Sequence, residues 1–554
     1  MGRYFEFELK KNLILILARG GSKTISRLNL RLVNEKPLLY YVLQSALKSN
    51  LGDVFVSTDS DEIRELTNLY GGKTIPRPKY LTKDDSKIKD IARYCLTYLK
   101  KKKLDYEKCL IVSPVFPLLK ISTMRKFFNA LSTKRTIFGI ITDDNNYYEI
   151  ENNRTAEISK LNTKIVRVKK ILSFQVESFL KTGKFQPPIY GIKLENEEAM
   201  SINNYHDLSA LEKTLRRKRI LVRVDADQKI GLGHVYNMLT VLNHLRDEEI
   251  LIVMNSTKSL GDYKFKEHNY KIKYFSSNDE LLNIILSFKP HIVFNDILNT
   301  NKSYIQKLKK IGCFVVNFED LGHGSNYADL VFNPIYYSAV KNKNKLFGSK
   351  YACVRDEFRI WPLKTEIRKE VKQILITFGG TDPSNITTQI LKIFFNNNFL
   401  KKINLVIVLG VGHVHKNEIY QLVTKMREDG FPIKIIERSD IMAKHISESD
   451  FVITSNGRTV FEVASLRVPM ITISANPRED LHLFSKYSGG AIPLNFGYKM
   501  DDKKVVRIIQ KMIKYKTRKK LVNSLSKYDL LAGVHDIIDT INKKYGMFSK
   551  KSFN

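Results

Sequence analysis

Four apolar segments of this chain each lead directly into a glycine-containing turn, and a segment with helical spacing follows each turn. The turns are Arg19-Gly20-Gly21-Ser22-Lys23, Gly231-Leu232-Gly233-His234, Gly379-Gly380-Thr381 and Ser455-Asn456-Gly457-Arg458. A recurring order of strand, turn and helix favours mostly parallel sheets that are covered by helices. The pattern therefore predicts an α/β fold, and a length of 554 residues predicts several domains.

The alternation of strand-like and helix-like segments restarts twice, which predicts three parts. Residues 1–216 are expected to form a Rossmann-like domain, with the basic stretch 216–219 as a surface linker. Residues 217–365 and 366–554 are expected to form two similar lobes with a cleft between them. The strands predicted in the first part are residues 13–17, 54–57, 110–112, 137–141 and 189–193.

The net charge of +35 raises the question of a nucleic acid partner. Lysine is spread along the whole chain, however, and no continuous basic stripe carries interleaved aromatic residues, so no nucleic acid partner is predicted. No apolar run approaches the ~18 residues that span a bilayer, and no signal peptide is evident. We therefore expect no membrane span and a cytoplasmic location. The four cysteines lack metal-site spacing and are expected to be buried thiols.

The first glycine turn combines an open backbone with positive charge, which suits phosphate. Glycine lacks a Cβ and lets backbone N–H groups approach an anion, while basic side chains neutralise its charge. The candidate nucleotide-binding residues are Arg19, Gly20, Gly21, Ser22, Lys23, Arg27 and Asn29. The alternative is an ordinary strand-to-helix turn with solvated basic residues, because short motifs match by chance.

This turn, followed in order by Lys36-Pro37-Leu38, residues 56–60 and Arg77-Pro78, resembles the CMP-sialic acid synthetases, which are acylneuraminate cytidylyltransferases. The resemblance covers about residues 10–215. It implies a Rossmann-like nucleotidyltransferase domain that takes CTP and a nonulosonic acid, with Arg19 as a catalytic residue and phosphate ligand. A homodimer is a further expectation.

The metal site departs from the family pattern. Where the family has an Asp-x-Asp pair for Mg²⁺, this chain has Ser201-Ile202-Asn203, which leaves Asp207 as the candidate metal ligand. Mg²⁺ prefers hard oxygen ligands, so the loss of two carboxylates should weaken its binding. Two readings stay open: Mg²⁺ is held through water as a cofactor, or the domain is a degenerate nucleotide-binding domain without catalysis.

The second half has its own set of motifs, at residues 223–227, 231–234, 347–351, 378–383 and 455–459. Together these motifs resemble the UDP-sugar hydrolase of the pseudaminic acid pathway. The resemblance covers roughly residues 218–545 and implies a two-lobed glycosyltransferase B-like fold, a UDP-diacetamido sugar as substrate and water as nucleophile. No cofactor is expected in this half.

His234 is the candidate general base of that reaction, since a neutral imidazole can accept a proton near pH 7. Asp225 is the second catalytic candidate. The alternative for His234 is a residue that caps or packs at the start of a helix. Glu462 is expected to accept hydrogen bonds from ribose hydroxyls, unless it is simply solvated. The candidate nucleotide-binding residues of this half are Gly233, Gly379, Gly380, Thr381, Asn456, Gly457, Arg458 and Glu462.

Both resemblances point to one biosynthetic route, that of activated nonulosonic acids of the sialic, legionaminic or pseudaminic type. The prediction is a bifunctional enzyme that makes a CMP-sugar from CTP and hydrolyses a UDP-diacetamido sugar. The alternative is a C-terminal glycosyltransferase attached to a non-catalytic cytidylyltransferase-like domain.

Overall fold

The computed structural model describes residues 12–22, 24–83, 85–143, 148–151, 154–157, 164–187, 189–228, 230–337, 343–364, 366–439, 441–494 and 501–551. The chain divides into two compact units between Arg216 and Arg217. Within these described ranges, no helix is both long enough and apolar enough to cross a membrane.

The first unit is an α/β structure with helices on both faces of its main sheet. Its strands are β1 (Asn12–Leu17), β2 (Leu32–Val33), β3 (Lys36–Pro37), β4 (Asp53–Thr58), β5 (Lys73–Pro76), β6 (Lys108–Val112), β7 (Thr136–Asp143), β8 (Tyr148–Glu151), β9 (Arg154–Glu157), β10 (Lys164–Gln175) and β11 (Ile189–Lys193). Its helices are α1 (Leu38–Ser49), α2 (Asp61–Leu69), α3 (Ile88–Lys101), α4 (Ile121–Ala130), α5 (Val176–Thr182) and α6 (Tyr205–Arg216). Apolar residues of α1 and α4 pack on one face of the sheet, and those of α3 and α5 pack on the other.

The main sheet of this unit has the strand order β11-β7-β10-β6-β1-β4-β5. Strand β10 is antiparallel to both of its neighbours, while β1 runs parallel to β4 and β6. The five strands predicted in this unit are present. Strands β5 and β10 of the main sheet are missing from the prediction. Strand β5 has only 4 residues, while the register of β10 shifts between Val168 and Leu172 and basic residues interrupt its alternation.

The second unit contains two parallel sheets. The strands of the first sheet, the N-lobe sheet, are β12 (Arg219–Val224), β13 (Glu249–Asn255), β14 (Lys271–Phe275), β15 (Ile292–Asp296), β16 (Phe314–Phe318), β17 (Leu330–Asn333) and β18 (Lys345–Phe347). The strands of the second sheet, the C-lobe sheet, are β19 (Gln373–Thr377), β20 (Asn404–Leu409), β21 (Ile433–Glu437), β22 (Phe451–Ser455), β23 (Met470–Ile473) and β24 (Ala491–Leu494). The helices of the unit are α7 (Gly233–Leu242), α8 (Asp262–Glu267), α9 (Asn278–Phe288), α10 (Lys302–Lys310), α11 (Glu357–Ile360), α12 (Ile386–Phe395), α13 (Lys416–Glu428), α14 (Met442–Glu448), α15 (Thr459–Ser465), α16 (Phe484–Tyr487), α17 (Asp502–Ile513), α18 (Tyr515–Leu525) and α19 (Gly533–Lys551).

Both sheets reverse their strand order at an internal point. The N-lobe order is β14-β13-β12-β15-β16-β17-β18, and the C-lobe order is β21-β20-β19-β22-β23-β24. In each sheet the chain first builds outward on one side and then returns to the other side of its first strand. Open parallel sheets bind ligands outside the carboxyl ends of the strands at such a reversal. The two reversals therefore indicate where to look for a site.

The last helix corrects one boundary of the sequence prediction, which assigned residues 366–554 to a single lobe. In α19, the buried residues Val534, Ile537 and Ile541 share a core with β12 and β15 of the N-lobe sheet. Their three- to four-residue spacing forms one apolar stripe along the helix. That stripe covers an apolar face of the N-lobe, so the N-lobe is completed by a segment that follows the whole C-lobe.

Candidate active site

One cleft of the second unit collects the segments that follow the central strands of both lobes. It is lined by the turn after β12 and by the turns that follow β19 and β22. The predicted site residues that line it are Gly233, His234, Gly379, Gly380, Thr381, Gly457, Arg458 and Glu462. The structure thus brings residues from both lobes together at the positions where the two sheets reverse their order.

His234 is the second residue of α7 and is 5% exposed. Its Nδ1 atom is hydrogen-bonded to Oδ1 of Asp296, the last residue of β15. The Asn237 side-chain amide donates to the other carboxylate oxygen of Asp296 over 2.7 Å. Because an ionised carboxylate only accepts, Nδ1 carries the proton in this pair and Nε2 of the neutral ring is left as the basic atom. Among the described residues, Nε2 has no hydrogen-bond partner.

Asp296 is fully buried, and its environment favours the carboxylate. Burial opposes ionisation, but the nearby His234 ring and Arg458 guanidinium and the hydrogen bonds from His234 and Asn237 outweigh it. The pKa of Asp296 therefore lies below its usual value. A carboxylate held ionised beside an imidazole orients the ring and stabilises its protonated form.

Asp225, the predicted catalytic partner, has a different environment. Its Oδ1 atom is buried without a hydrogen-bond partner in the described structure, and its Oδ2 atom lies 3.9 Å from Nζ of Lys258. Burial raises its pKa. Parallel pairing of β12 with β15 places Asp296 beside Val224, so the acid that meets His234 comes from the neighbouring strand. An acidic residue at the end of the wholly buried strand β15 is the sequence signal that could have identified it.

The Gly379-Gly380 turn is held closely by the segment after β20. A Cβ built on Gly410 would lie 2.4 Å from the carbonyl oxygen of Gly380 and 2.6 Å from that of Gly379. Gly379 has a φ of +74°, in the region that favours glycine. The backbone path of this turn therefore depends on a glycine at position 410.

Asn456 is predicted to bind nucleotide, and in the structure it supports the segment that follows β23. Its side-chain amide donates to the backbone carbonyls of Glu479 and His482, over 2.8 and 3.2 Å. The backbone N–H groups of Asn456 and Ala475 donate to Oε2 of Glu479, over 3.2 and 2.8 Å. Burial nevertheless raises the pKa of Glu479 to about 7. A carboxyl group that titrates near neutral pH therefore lies beside the Asn456-Gly457 turn.

Two further predicted ligands of this half are engaged in ion pairs. Glu462 accepts a hydrogen bond from Nε of Arg355 over 2.7 Å. Arg458 contacts Glu319 over 2.9 Å and lies 3.3 Å from Asp296. Arg458 thus reaches from the turn after β22 to the His234–Asp296 pair.

In the first unit, the predicted phosphate turn follows β1, where the order of its sheet reverses between β1 and β6. The N–H of Gly20 donates to Oδ1 of Asp59 over 2.8 Å. Nη1 of Arg19 donates to the carbonyl of Thr82 over 3.2 Å, and the amide of Asn29 donates to the carbonyl of Arg19 over 2.8 Å. The turn is thus tied to three neighbouring segments.

The remaining predicted ligands of this turn are more exposed. Arg27 forms an ion pair with Glu62 in which both side chains are more than half exposed. Pairs of this kind are worth at most about 1 kcal/mol, so a phosphate could displace it. Ser22 Oγ lies 3.5 Å from Thr24 Oγ1, and a Cβ on Gly21 would meet open space. Lys23 lies outside the described residues.

Asp207, the predicted metal ligand, caps the helix in which it lies. Its Oδ2 atom accepts hydrogen bonds from the backbone N–H groups of Asn203 and Asn204, over 2.7 and 3.1 Å. The amide of Asn203 donates to Oγ of Ser201 over 2.8 Å. Over the part of the chain that the structure describes, no group of three His, Cys, Asp or Glu residues is placed to hold a metal ion. These residues do not fit a Mg²⁺ site built from protein carboxylates.

The sequence of this chain is similar to a family model and to several known proteins. Residues 13–250 match the family model described as Cytidylyltransferase, which extends past the division at Arg216. An uncharacterized protein of Methanocaldococcus jannaschii is 32% identical over 47% of this chain, and the match spans only 56% of that relative. The spore coat polysaccharide biosynthesis protein SpsG of Bacillus subtilis is 24% identical over 45% of this chain and 75% of its own length.

A relative from Helicobacter pylori matches across both units. It is named pseudaminic acid cytidylyltransferase and UDP-2,4-diacetamido-2,4,6-trideoxy-beta-L-altropyranose hydrolase. It is 24% identical to this chain over 83% of this chain and 87% of its own length. The N-terminal side of the chain is therefore similar to the cytidylyltransferase family, and most of its length is similar to a bifunctional cytidylyltransferase and hydrolase.

Proposed function

We propose that the chain is a bifunctional enzyme of nonulosonic acid biosynthesis, in which the second unit hydrolyses a UDP-diacetamido sugar and the first transfers a cytidylyl group from CTP to a nonulosonic acid. The main support for the hydrolase assignment is the His234–Asp296 pair, which lies at the cleft between the two lobes. The similarity to the H. pylori relative over most of the chain supports both assignments.

In the proposed hydrolysis, Nε2 of His234 removes a proton from a water molecule as that water attacks the anomeric carbon of the sugar. A new C–O bond forms, the bond to the diphosphate breaks, and UDP leaves with the electron pair. Asp296 stabilises the imidazolium, which later releases its proton to solvent. The Gly379-Gly380-Thr381 turn and the N-terminal end of α15 offer backbone N–H groups to the diphosphate.

For the first unit, the proposal is supported by the family match and by the glycine turn at the reversal point of its sheet. The capping role of Asp207 favours a second candidate, a domain that binds cytidine nucleotide without turnover. The cytoplasmic location and the homodimer stay predictions.

Both activities can be tested with the intact protein. UDP release from UDP-diacetamido sugars is measured by chromatography in ¹⁸O-labelled water, and we expect one labelled oxygen in the released sugar. Transfer of the sugar to an added acceptor without label would identify a glycosyltransferase. Pyrophosphate release from CTP with a nonulosonic acid, measured with added Mg²⁺ and with chelator, tests the first unit. Tight CTP binding with no pyrophosphate would assign the second candidate.

The Gly410→Ala variant is expected to bind UDP about 10- to 100-fold more weakly than the wild type. The added Cβ would displace the Gly379-Gly380 turn, and a lost hydrogen bond to a charged group costs about 1.5–3 kcal/mol. Titration calorimetry with UDP measures the effect. Gly546→Ala is the matched control, because a Cβ at that helical position would meet nothing within 4 Å. Equal UDP affinity in both variants would contradict the role of the turn.

UDP affinity is also expected to fall as the pH rises through about 7. Because burial raises the pKa of Glu479 to about 7, this group is neutral below that pH and charged above it. A charged carboxylate beside the Asn456-Gly457 turn would repel the diphosphate, and a loss of about 1 kcal/mol is about fivefold in affinity. Calorimetry between pH 6 and pH 8, taken as about one unit either side of that midpoint, should show this loss in the wild type. The loss should be absent in Glu479→Gln, and its persistence there would refute the assignment.

A further inference from the structure

Glu319 directly follows β16 and has an unusual backbone conformation. Its φ is +52°, in the left-handed region that side chains other than glycine rarely adopt, and the residue is 5% exposed. Such a conformation costs on the order of 1–3 kcal/mol and persists only where surrounding contacts hold it. The question is what the contacts of Glu319 hold in place.

Two arginines of the C-lobe converge on Glu319. Its carboxylate accepts a hydrogen bond at Oε1 from Nε of Arg458 over 2.9 Å, and its Oε2 lies 2.9 Å from Nη2 of Arg458 in the same ion pair. Its backbone carbonyl accepts a hydrogen bond from Nη2 of Arg478 over 2.9 Å. A guanidinium that meets both oxygens of a carboxylate is fixed in direction as well as in distance. The left-handed conformation of Glu319 thus directs both its carboxylate and its backbone carbonyl towards the C-lobe.

The same guanidinium group of Arg458 meets the catalytic pair. Its Nη2 lies 3.3 and 3.4 Å from the two carboxylate oxygens of Asp296 and 3.3 Å from Nδ1 of His234. Its Nη1 donates to the carbonyl of Gly233, the residue before His234. Arg458 comes from the C-lobe, whereas all of these partners belong to the N-lobe. The charge that balances buried Asp296 therefore comes from across the cleft.

We propose that Glu319 is a positioning residue that docks Arg458 against the His234–Asp296 pair, so that the base is complete only when the two lobes are together. The proposal rests on the hydrolase function proposed for this cleft. With Arg458 in place, Asp296 stays ionised and keeps the proton of His234 on Nδ1. When Arg458 withdraws, buried Asp296 is left without its nearest positive side chain other than His234, and protonation of the pair becomes easier.

A purely structural role for Glu319, as a clasp between the lobes, makes a different prediction. Glu267 offers a matched comparison, since its carboxylate also meets an arginine of the C-lobe, Arg438, over 3.1 Å. Both groups of that pair are about half exposed, and neither contacts the His234–Asp296 pair. Removing either carboxylate breaks an ion pair between lobes, but only Glu319 acts on the base.

The test compares Glu319→Gln, Glu319→Asp and Glu267→Gln with the wild type. For Glu319→Gln we expect kcat for UDP release to fall about 10- to 100-fold, the size of effect that displacing a positioning group produces. The acidic limb of its kcat–pH profile should move to higher pH, because the pair protonates more easily. Glu319→Asp, which restores the charge, should recover part of the rate, and Glu267→Gln should keep both rate and profile. A profile in Glu319→Gln identical to that of the wild type would overturn the proposal.

A second measurement does not depend on hydrolysis. Nuclear magnetic resonance of protein labelled with ¹⁵N-histidine reports the tautomer and titration of His234, whose signal is assigned by its loss in His234→Gln. We expect the Nδ1–H tautomer in the wild type and a titration midpoint at higher pH in Glu319→Gln. An unchanged midpoint would overturn the inference even if the wild type hydrolyses UDP-sugars. A shifted midpoint in a protein that releases no UDP would support the positioning role and reject the hydrolase.

Discussion

The His234→Ala variant is expected to release UDP from a UDP-diacetamido sugar about 10²- to 10⁴-fold more slowly than the wild type, the usual contribution of a general base. The ring is nearly buried, its Nδ1 is committed to Asp296, and its Nε2 is left to meet water in the cleft. The loss should appear in kcat, while UDP affinity measured by calorimetry should change little.

The control for this variant is His323→Ala, whose ring packs near Tyr327 at 5.8 Å between ring centroids and does not line the cleft. Added imidazole should restore part of the rate to His234→Ala, because a small base can enter the space that the side chain leaves. Full activity of His234→Ala without imidazole would show that another group activates water.

Asp296→Asn is expected to lose about 10²- to 10⁴-fold in kcat as well, while Asp225→Asn should stay within about threefold of the wild type. An amide at position 296 can donate to Nδ1 of His234, which would move the proton of the neutral ring to Nε2 and remove the base. Asp225 makes no hydrogen bond to His234, and its Oδ2 atom lies 3.9 Å from Nζ of Lys258. Comparing the two variants therefore tests whether catalysis needs the carboxylate that is hydrogen-bonded to His234 or the one that is closer to it in the sequence.

Steady-state kinetics of the two variants, with thermal unfolding to confirm that each is folded, distinguish these roles. The Asp296→Asn variant should also lose the acidic limb of the kcat–pH profile that arises from the pair. The reverse result, a large loss in Asp225→Asn and little change in Asp296→Asn, would refute the pairing seen in the structure.

The local pattern of the sequence is sufficient to predict the fold class and one half of the His234–Asp296 pair. Glycine turns after apolar runs mark the carboxyl ends of β1, β12, β19 and β22, because a strand that enters a phosphate-type turn leaves a strong local signal. His234 can be predicted because it lies in such a turn. Its partner Asp296 cannot be predicted in this way, because it meets His234 only through the pairing of β12 with β15, which no short motif records.

Contacts between distant segments account for the other differences. Arg458 matches a nucleotide-binding motif, yet its ion pair with Glu319 joins residues far apart in the chain. Asp207 has the residue type of a metal ligand, and the hydrogen bonds that make it a helix cap depend on the path of the backbone before it. Both residues have the side-chain type that their predicted roles require, but their partners depend on contacts that only the three-dimensional structure shows.

The packing of α19 on the N-lobe has a consequence for synthesis of the protein on the ribosome. The strands β12 to β18 emerge before the C-lobe is made, but Val534, Ile537 and Ile541 complete their apolar core only afterwards. The apolar face of the nascent N-lobe therefore stays exposed until α19 has been synthesised, and chaperones and proteases recognise such faces. A fragment that stops before α19 would keep that face exposed. Truncation at one position therefore cannot yield two complete lobes, and the two lobes must complete their folding together.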